Sequence, residues 1–585
     1  MNFKKINNLT GWTVFGIALI VYLITMERTV SFWDCGEFLS TAYKLEVGHS
    51  PGAPLFMLLG RMFGMFASPQ NVALAINGLS ALASALTILF LFWTITHFAN
   101  KLLVKAGEEL TQNKLLGIMG AGIVGALAYT FSDTFWFSAV EAEVYATSSF
   151  FTAIVFWAIL KWEHNADAPH ADRWLVLISY LMGLSIGVHL LNLLTIPALA
   201  MVYYFRKYKP TMTGGILAFI IGCVLLGFVQ VGLIQGIPIL ASKFELLFVN
   251  SFGLPLDSGA IFFIVLLAGL LAFLIIWAKK KGKYILQMST ICVVFALIGY
   301  SSYVSIIIRS RADVPIDMTN PDDVLSLLSY LQREQYGAQP IVTGPDFDSG
   351  VERDASGNPA YKKGKEIYQD VKKDGKDSYE LVGNRQPEPI YAPGEQRFFP
   401  RLYSQQHENF YRQYLGLSAT DRPSVKDNYS FFFSYQLNWM WWRYFMWSYA
   451  GRQNDFAGTS YGEAQNGNWI SGIKPIDKMF GRGDIDQMPD YYKNNRARNQ
   501  LYFLPFILGI LGLVYQFNRD KRDGAIVALL FFFTGIAIVL YLNNTPQQPR
   551  ERDYAYAGAT YAFAIWIGLG VLMVADMFGK FMKKG

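Results

Sequence analysis

The sequence contains little cysteine, little histidine and little charge for its length. Three cysteines, Cys35, Cys223 and Cys292, and six histidines are spread over 585 residues. Two of the cysteines fall inside apolar segments, so no disulfide framework is predicted, and no zinc-type or nucleotide-binding motif is present. Only 16% of the residues are charged, whereas 52% are hydrophobic and 16% aromatic. A soluble fold of this size does not bury so much apolar surface, so the composition indicates a polytopic membrane protein.

Apolar segments of helical length recur along the chain. Crossing the hydrocarbon takes about 20 residues of helix, and the sequence offers about twelve such segments. We predict spans at 11–26, 71–96, 115–131, 144–161, 174–189, 191–205, 212–235, 260–278, 284–308, 499–517, 524–542 and 557–579. The expected fold class is an all-α polytopic membrane protein.

Basic residues fall in alternate loops, beginning with Lys4 and Lys5 and including KKKGK at 279–283. Lys and Arg in short loops mark the cytoplasmic side, so both ends of the chain are predicted to be cytoplasmic. The loops 27–70 and 132–143 then face the outer side. The net charge of +6 follows from this topology, and no nucleic acid partner is predicted.

The chain divides into three predicted parts. Residues 1–308 form an N-terminal membrane domain, residues 309–498 an outer-side domain inserted between the ninth and tenth spans, and residues 499–585 the last membrane helices. The stretch 343–396 is rich in Gly, Asp, Lys and Pro, which predicts a flexible excursion. The aromatic run 428–455 is interpreted as a helix at the membrane interface in preference to a sugar platform.

Acidic residues cluster in loops assigned to the outer side. SFWDCGEF contains Asp34 and Glu37, which share one face if the segment is helical. SAVEAEVYA contains the acidic pair of the second outer loop. QPRERDYAY precedes the last span. Because all three clusters return to one face of the membrane, we expect them to form one site, whose further members are Glu141, Glu143, Arg550, Glu551, Arg552 and Asp553.

A break at SPGAP follows the first acidic loop and leads into LFMLLGRMFGMF, which predicts a helix at 54–66 lying flat in the outer leaflet. Another polar pair, His189 and Asn192, lies at a predicted outer turn between two short spans. A polar pair at such a turn is a candidate for function.

The order of these features resembles the GT-C class of integral-membrane glycosyltransferases. An acidic loop after the first span, a juxtamembrane helix and a second acidic loop after the third span carry the resemblance. More closely, TVSFWDCGEFLSTAYKLEVGHSPGAPLF resembles the bacterial protein O-mannosyltransferase-like family. The similarity is specific over residues 10–200 and weaker over the outer domain.

The resemblance implies an inverting transfer of a sugar, with mannose expected, from a polyprenyl-phosphate-linked donor to Ser/Thr of exported proteins. Asp34 is the implied catalytic base, and Glu37 either orients the acceptor or is the base itself. The implied location is the bacterial cytoplasmic (inner) membrane, with the site facing the periplasm or cell exterior and in contact with membrane lipid.

Related oligosaccharyltransferases hold a divalent metal on an acidic pair, which implies Mg²⁺ or Mn²⁺ on Glu141 and Glu143. Single-sugar enzymes of the class usually work without metal, so no cofactor is the preferred expectation. One of the two acids would then position the acceptor.

The leaving phosphate of such a reaction needs cations, and arginine suits it by bidentate hydrogen bonding. The candidates are Arg550 and Arg552 first, then Arg309 and Arg311 after the ninth span. His49 is a candidate for binding the phosphate or relaying a proton.

Three alternatives stay open. One is en bloc transfer of a preassembled glycan, and another is modification of a lipid or glycan acceptor. The third is a transporter or flippase of a lipid-linked substrate. Transporters usually place charges near the middle of the membrane, whereas here they collect at one surface.

Overall fold

The computed structural model describes residues 2–105, 107–337, 339–385, 387–458 and 464–582. In this part of the chain, eight helices are long and apolar enough to cross a membrane. They are Phe3–Thr25, Pro69–Leu103, Val144–Asn165, Met212–Ser251, Ser258–Lys280, Tyr284–Ser310, Lys521–Leu542 and Asp553–Gly579. The predicted helical, polytopic class is confirmed.

The four remaining predicted spans also coincide with helices, but with short or bent ones. Helix Gln112–Thr130 is followed by Asp133–Ala139 at an angle of 69°, and the pair counts as a ninth crossing if it is one span. The other three predicted spans correspond to Arg173–Ile186, Ile196–Lys207 with the preceding 3-10 turn Leu190–Thr195, and Leu504–Arg519. The number of crossings therefore stays a prediction.

Close helix crossings in the bundle depend on glycine. Helix Leu504–Arg519 lies against the last helix, Ala557–Met582. A Cβ on Gly512 would meet the carbonyl of Trp566, and one on Gly570 would meet the carbonyl of Leu508. Small residues let membrane helices approach closely, which strengthens their van der Waals contact.

The segment 343–396, predicted from its composition to be a flexible excursion, forms short strands. Its strands pair antiparallel as a nested arm, closed by the turn Asp374–Gly375 with positive φ at both residues. An Asp-Gly turn of this kind matches the twist of a two-residue hairpin. The strands are Thr343–Pro345, Tyr361–Lys362, Glu366–Lys373, Lys376–Asn384, Glu388–Pro389 and Gln396–Phe398.

The tip of this arm contacts the membrane part of the chain. Asn250, at the end of the long helix Met212–Ser251, donates to the carbonyl of Tyr379 at 2.9 Å and accepts from its N–H at 2.8 Å. These backbone contacts anchor a sequence rich in turn residues, which explains its order.

Most of the aromatic run 428–455 is buried inside the protein, so its interpretation as an interfacial helix is wrong. It forms Val425–Phe431, a π-helical stretch Phe432–Trp442 and Arg443–Tyr449. The Phe445 ring packs 4.9 Å from Phe563 in the last helix. Trp447 and Tyr449 are fully buried. Packing between rings, which sequence periodicity does not show, takes these residues out of the interface.

Short elements complete the described chain. Two of them, Cys35–Lys44 and Pro54–Gly64, lie between the helices Phe3–Thr25 and Pro69–Leu103. The others are Val304–Ser310 within the span Tyr284–Ser310, then Val324–Leu331, Glu334–Tyr336, Gln405–His407, Glu408–Leu415, Lys474–Met479, Ile485–Gln487, Asp490–Lys493 and Asp553–Tyr556.

Candidate active site

Asp34 immediately precedes the short helix Cys35–Lys44 in the loop after the first span. Its carbonyl accepts from Phe38 N–H at 2.9 Å, but its carboxylate makes no capping bond to the helix. The side chain is therefore free to reach across the site. Its exposed fraction is 43%.

Arg550 joins three loops that are distant from one another in the sequence. Its Nη2 donates to Asp34 Oδ2 at 2.9 Å, and its Nη1 donates to Glu143 Oε1 at 2.9 Å. The guanidinium is only 10% exposed and lies 4.5 Å from the centre of the Tyr554 ring. Two carboxylates on one buried guanidinium make a charge-assisted bridge whose geometry a lysine would not reproduce.

Glu141 and Glu143 come together because their backbone is not helical. Glu143 is extended, with φ −126° and ψ 154°, so residues two apart face the same side. Ser31 Oγ donates to Glu141 Oε2 at 2.7 Å. The Cys35 thiol lies 3.9 Å from Glu143 Oε1, and ligand atoms of these three residues lie within 4.8 Å of one another.

Burial governs the protonation of this acidic cluster. It raises the pKa of Glu141 to about 7 and raises the pKa of Glu143 despite the nearby Arg550. The pKa of the Cys35 thiol is raised by burial and by both carboxylates. A protonated thiol is a poor ligand for Mg²⁺ or Mn²⁺, and Glu143 is already paired with Arg550. The donor set therefore does not fit a hard divalent cation.

Glu37 and His49 form a carboxylate–imidazole pair in the same loop as Asp34. Glu37 Oε1 accepts from His49 N–H at 2.5 Å and lies 3.0 Å from His49 Nδ1. The hydrogen bond that His49 donates to Glu37 raises the pKa of His49. Burial opposes ionisation of Glu37, but the hydrogen bonds from His49 lower its pKa. The pair is thus biased towards imidazolium and carboxylate.

Arg552 lies beside Arg550 but differs from it in its partners. Its Nη1 donates to the Tyr554 hydroxyl at 2.8 Å, and its Nη2 donates to Gln548 Oε1 at 2.7 Å. Within the described ranges, it forms no ion pair with a carboxylate. Between Arg550 and Arg552, only Arg552 lacks a carboxylate partner among the residues that the structure describes.

Arg309 and Arg311 have structural partners outside this cluster. Arg309 donates to the carbonyls of Leu45 and Lys44, at the C-terminal end of the first-loop helix. Arg311 forms a bidentate pair with Asp257 at 2.8 Å for both bonds. The structure does not bring these arginines together with Asp34.

His189 lies close to the site, whereas Asn192 faces away from it. The His189 ring is 5.2 Å from the Tyr145 ring, and its Nδ1 accepts from Leu191 N–H at 3.3 Å. Asn192 donates to Ser185 Oγ at 3.0 Å and is fully buried. These bonds hold the turn together.

The two acids of the last loop, Glu551 and Asp553, contact residues 443–452. Glu551 accepts from the buried Arg443 at 2.6 Å and from Tyr444. Asp553 is buried at the start of the last helix, near Thr134 and Arg452. Both contacts tie residues 443–452 to the membrane helices, which is a structural role.

Sequence reasoning missed the two tyrosines at the centre of the site. Tyr145 follows Glu143, and Tyr554 follows Asp553, and their rings lie 4.3 Å apart. The signal was present, since an aromatic residue follows the charged residues in both SAVEAEVYA and QPRERDYAY. Ser31 and Cys35 were also missed, because nothing in a loop sequence shows which small side chains face a carboxylate.

Fold and site together define a polytopic helical membrane protein with an acid–arginine site formed by the segments 31–37, 141–145 and 548–554. Residues 34–212 match the model of a family described as the protein O-mannosyl-transferase TMEM260 N-terminal domain. Residues 337–433 match a family of unknown function, DUF8416. The first match confirms the resemblance to protein O-mannosyltransferases for the part of the chain that contains Asp34, Glu37, Glu141 and Glu143.

Curated relatives agree over a similar length. Protein O-mannosyl-transferase TMEM260 of Mus musculus is 26% identical over 173 residues, which is 30% of this chain and 22% of the relative. The tmem260 protein of Dictyostelium discoideum is 26% identical over 138 residues, which is 23% of this chain and 15% of the relative. The chain thus spans less than a quarter of either relative.

One solved structure aligns along the whole chain. The apo oligosaccharyltransferase of Archaeoglobus fulgidus covers 98% of this chain, which in turn covers 51% of that protein, at 11% identity and a TM-score of 0.38. That score does not establish a common fold.

Proposed function

We propose that this protein is an inverting glycosyltransferase of the GT-C class. It transfers one sugar, mannose, from a polyprenyl-phosphate-linked donor to a Ser or Thr hydroxyl of an exported protein. The match of residues 34–212 to protein O-mannosyl-transferases supports the activity and the acceptor class. The alternation of basic loops supports a site on the outer face of the cytoplasmic membrane, open to donor lipid from the side.

The observation that carries the proposal is the unequal exposure of two carboxylates on one guanidinium. Arg550 binds both, yet the Asp34 side chain is 43% exposed and the Glu143 side chain 2% exposed. The buried Glu143 holds the Arg550 guanidinium in place, and the guanidinium in turn holds the more exposed Asp34 carboxylate. A substrate hydroxyl reaches Asp34 and not the buried acids.

In the proposed reaction, the acceptor oxygen attacks the anomeric carbon from the face opposite the phosphate. The carbon–oxygen bond to phosphate breaks, its electron pair leaves with the polyprenyl phosphate, and the hydroxyl proton passes to Asp34. General-base help of this kind contributes about 10²- to 10⁴-fold to rate. Arg552, which forms no ion pair with a carboxylate among the described residues, stabilises the leaving phosphate.

Glu37 and His49 have a supporting role in this scheme. Their hydrogen bonds hold the loop after the helix Cys35–Lys44, on which Asp34 lies. An imidazolium beside the acids also adds positive charge near the phosphate. Neither residue needs to contact the transferred proton.

The test is transfer by purified protein in lipid nanodiscs, with polyprenyl-phosphate-mannose and a Ser/Thr-rich peptide. We expect Asp34→Asn to lower transfer by about 10²-fold or more at unchanged thermal stability. Glu109→Gln, an exposed acid in the loop between the helices Pro69–Leu103 and Gln112–Thr130, is the matched control.

Three outcomes would contradict the proposal in different ways. Equal rates for Asp34→Asn and wild type would reject Asp34 as the base. A mass increase larger than one hexose with a lipid-linked oligosaccharide donor would indicate en bloc transfer. Movement of labelled donor between leaflets, without transfer to peptide, would indicate a flippase.

A further inference from the structure

We propose that Tyr554 is a positioning residue that aligns Arg552 and presents its own hydroxyl proton to the phosphate of the lipid donor. This inference rests on the proposed function and deepens it. Tyr554 lies in the short 3-10 helix Asp553–Tyr556 that leads into the last helix.

The Tyr554 hydroxyl is held between two guanidinium groups. Arg550 Nε lies 3.1 Å from the hydroxyl oxygen, and Arg552 Nη1 lies 2.8 Å from it. Arginine carries only donors and keeps its charge, so the phenol oxygen must accept both hydrogen bonds. The same atom thus fixes one arginine that is neutralised and one that is not.

This arrangement settles where the Tyr554 proton can go. A hydroxyl has two acceptor lone pairs and one proton, and both lone pairs are taken by arginine. Among the residues that the structure describes, none accepts a hydrogen bond from Tyr554. The proton is therefore left for an incoming acceptor, and two adjacent guanidinium groups select an anionic oxygen.

The ring of Tyr554 is locked in place. It packs 4.3 Å from the Tyr145 ring on one side, and the Arg550 guanidinium lies 4.5 Å from its centre. The residue is 9% exposed. A fixed ring holds its hydroxyl in one position, so the hydrogen bond to Arg552 lowers the rotational freedom of that side chain before ligand binds.

The charges identify the ligand as phosphate and not as the acceptor. Asp34 and Glu143 neutralise Arg550, whereas the other partner of Arg552 is the uncharged Gln548. The Arg552 guanidinium and the Tyr554 hydroxyl proton can together bind two oxygens of one phosphate. The exposed carboxylate of Asp34 would repel the same anion and attract a hydroxyl.

The experiment measures binding of polyprenyl phosphate, without sugar, to nanodisc-embedded protein, together with KM and kcat for transfer. We expect Tyr554→Phe to raise both the Kd for polyprenyl phosphate and the KM for donor about tenfold, with a smaller change in kcat. A purely structural role would lower the active fraction and leave KM unchanged.

Tyr556→Phe is the matched control. Tyr556 is buried in the same short helix, and its hydroxyl has no hydrogen-bond partner within the described part of the chain. We expect this variant to bind and react as wild type. Equal Kd values for Tyr554→Phe and Tyr556→Phe would overturn the inference.

A second variant keeps the test decisive if Tyr554→Phe does not fold. Gln548→Glu gives Arg552 a carboxylate partner, and we expect weaker binding of polyprenyl phosphate. Unchanged binding would overturn Arg552 as the phosphate cation.

Failure of the inference is distinguishable from failure of the proposed function. If the wild type binds polyprenyl phosphate but transfers no sugar, the function is wrong and the phosphate site stands. If the wild type transfers sugar and Tyr554→Phe equals it in both Kd and KM, the inference alone is wrong.

Discussion

Arg550 donates to Asp34 Oδ2 at 2.9 Å, although the two residues are 516 positions apart in the chain. The same guanidinium binds Glu143, which immediately precedes the helix Val144–Asn165. A loop acid that would otherwise be free is thereby fixed by the segment before the last helix. The proposed site is complete only when both ends of the chain have come together.

The bridge predicts that lysine cannot replace arginine at position 550. Arg550→Lys keeps the charge but cannot reach Asp34 and Glu143 with two parallel donors. We expect transfer to fall by about 10²-fold, because a small misplacement of a catalytic group has that effect. The measurement is kcat for peptide mannosylation in nanodiscs.

Arg311→Lys is the control for this bridge. Arg311 also makes a bidentate pair, with Asp257, but outside the site. We expect that variant to keep its activity. Similar losses in both variants would show that the membrane protein tolerates no arginine change, and the role of the bridge would be rejected.

The pair of Glu37 and His49 predicts a change in the titration of one histidine. The hydrogen bond that His49 donates to Glu37 raises the pKa of His49, so imidazolium persists to higher pH in the wild type. We expect Glu37→Gln to lower the pKa of His49. The readout is NMR of histidine labelled with ¹³C, assigned by His49→Gln. An unchanged pKa in Glu37→Gln would contradict the geometry.

Glu141 predicts a loss of stability as the pH rises. Burial raises its pKa from an ordinary 4.5 to about 7, so the folded state binds a proton that the unfolded state has released. Stability from this group is present below pH 4.5 and is lost as the pH rises to about 7, by ~3 kcal/mol at most. Glu141→Gln mimics the protonated form and should not lose it.

The check is thermal unfolding followed by tryptophan fluorescence. We expect equal melting temperatures for wild type and Glu141→Gln near pH 5 and a lower one for wild type at pH 8. A parallel pH dependence of the two proteins would show that Glu141 is not held neutral by burial.

The sequence predicted what depends on local composition. Spans such as 144–161 and acids such as Asp34 and Glu37 were found from hydropathy, loop charge and the resemblance carried by the first loop. Partner choice was not predictable. Arg550 and Arg552 are two residues apart, yet one pairs with acids from two other loops and one does not. That difference depends on long-range packing, which the spacing of residues in the sequence does not predict.

Dependence on distant packing partners also explains where the structure of residues 343–396 and 428–455 differs from the sequence analysis. Residues 343–396 have the composition of a flexible loop, but nested strand pairing and the Asn250 contact order them. The rings of 428–455 suggested an interface, but contacts such as that between Phe445 and Phe563 bury them. Both outcomes depend on distant partners.

Glu551 predicts a stability effect without a direct chemical effect. It pairs with Arg443, whose side chain is 2% exposed. Glu551→Gln leaves a buried guanidinium without a counter-charge, which costs about 3 to 5 kcal/mol. We expect a much lower melting temperature, whereas Glu395→Gln, which breaks the pair with the exposed Arg422, should change the melting temperature little. Equal effects would show that Arg443 finds another partner.

The acidic cluster predicts that transfer does not require a divalent metal. A hard cation at Glu141 and Glu143 would have to compete with Arg550, remove the proton that burial keeps on Glu141 and accept a neutral thiol as its neighbour. Each step costs free energy, and in the proposed reaction Arg552 supplies positive charge for the phosphate. We expect wild-type transfer to be unchanged after dialysis against EDTA, with Cys35→Ser equally insensitive. Loss of transfer in EDTA, followed by recovery on adding Mg²⁺ or Mn²⁺, would show that the two glutamates bind metal and that Arg550 moves aside to admit it.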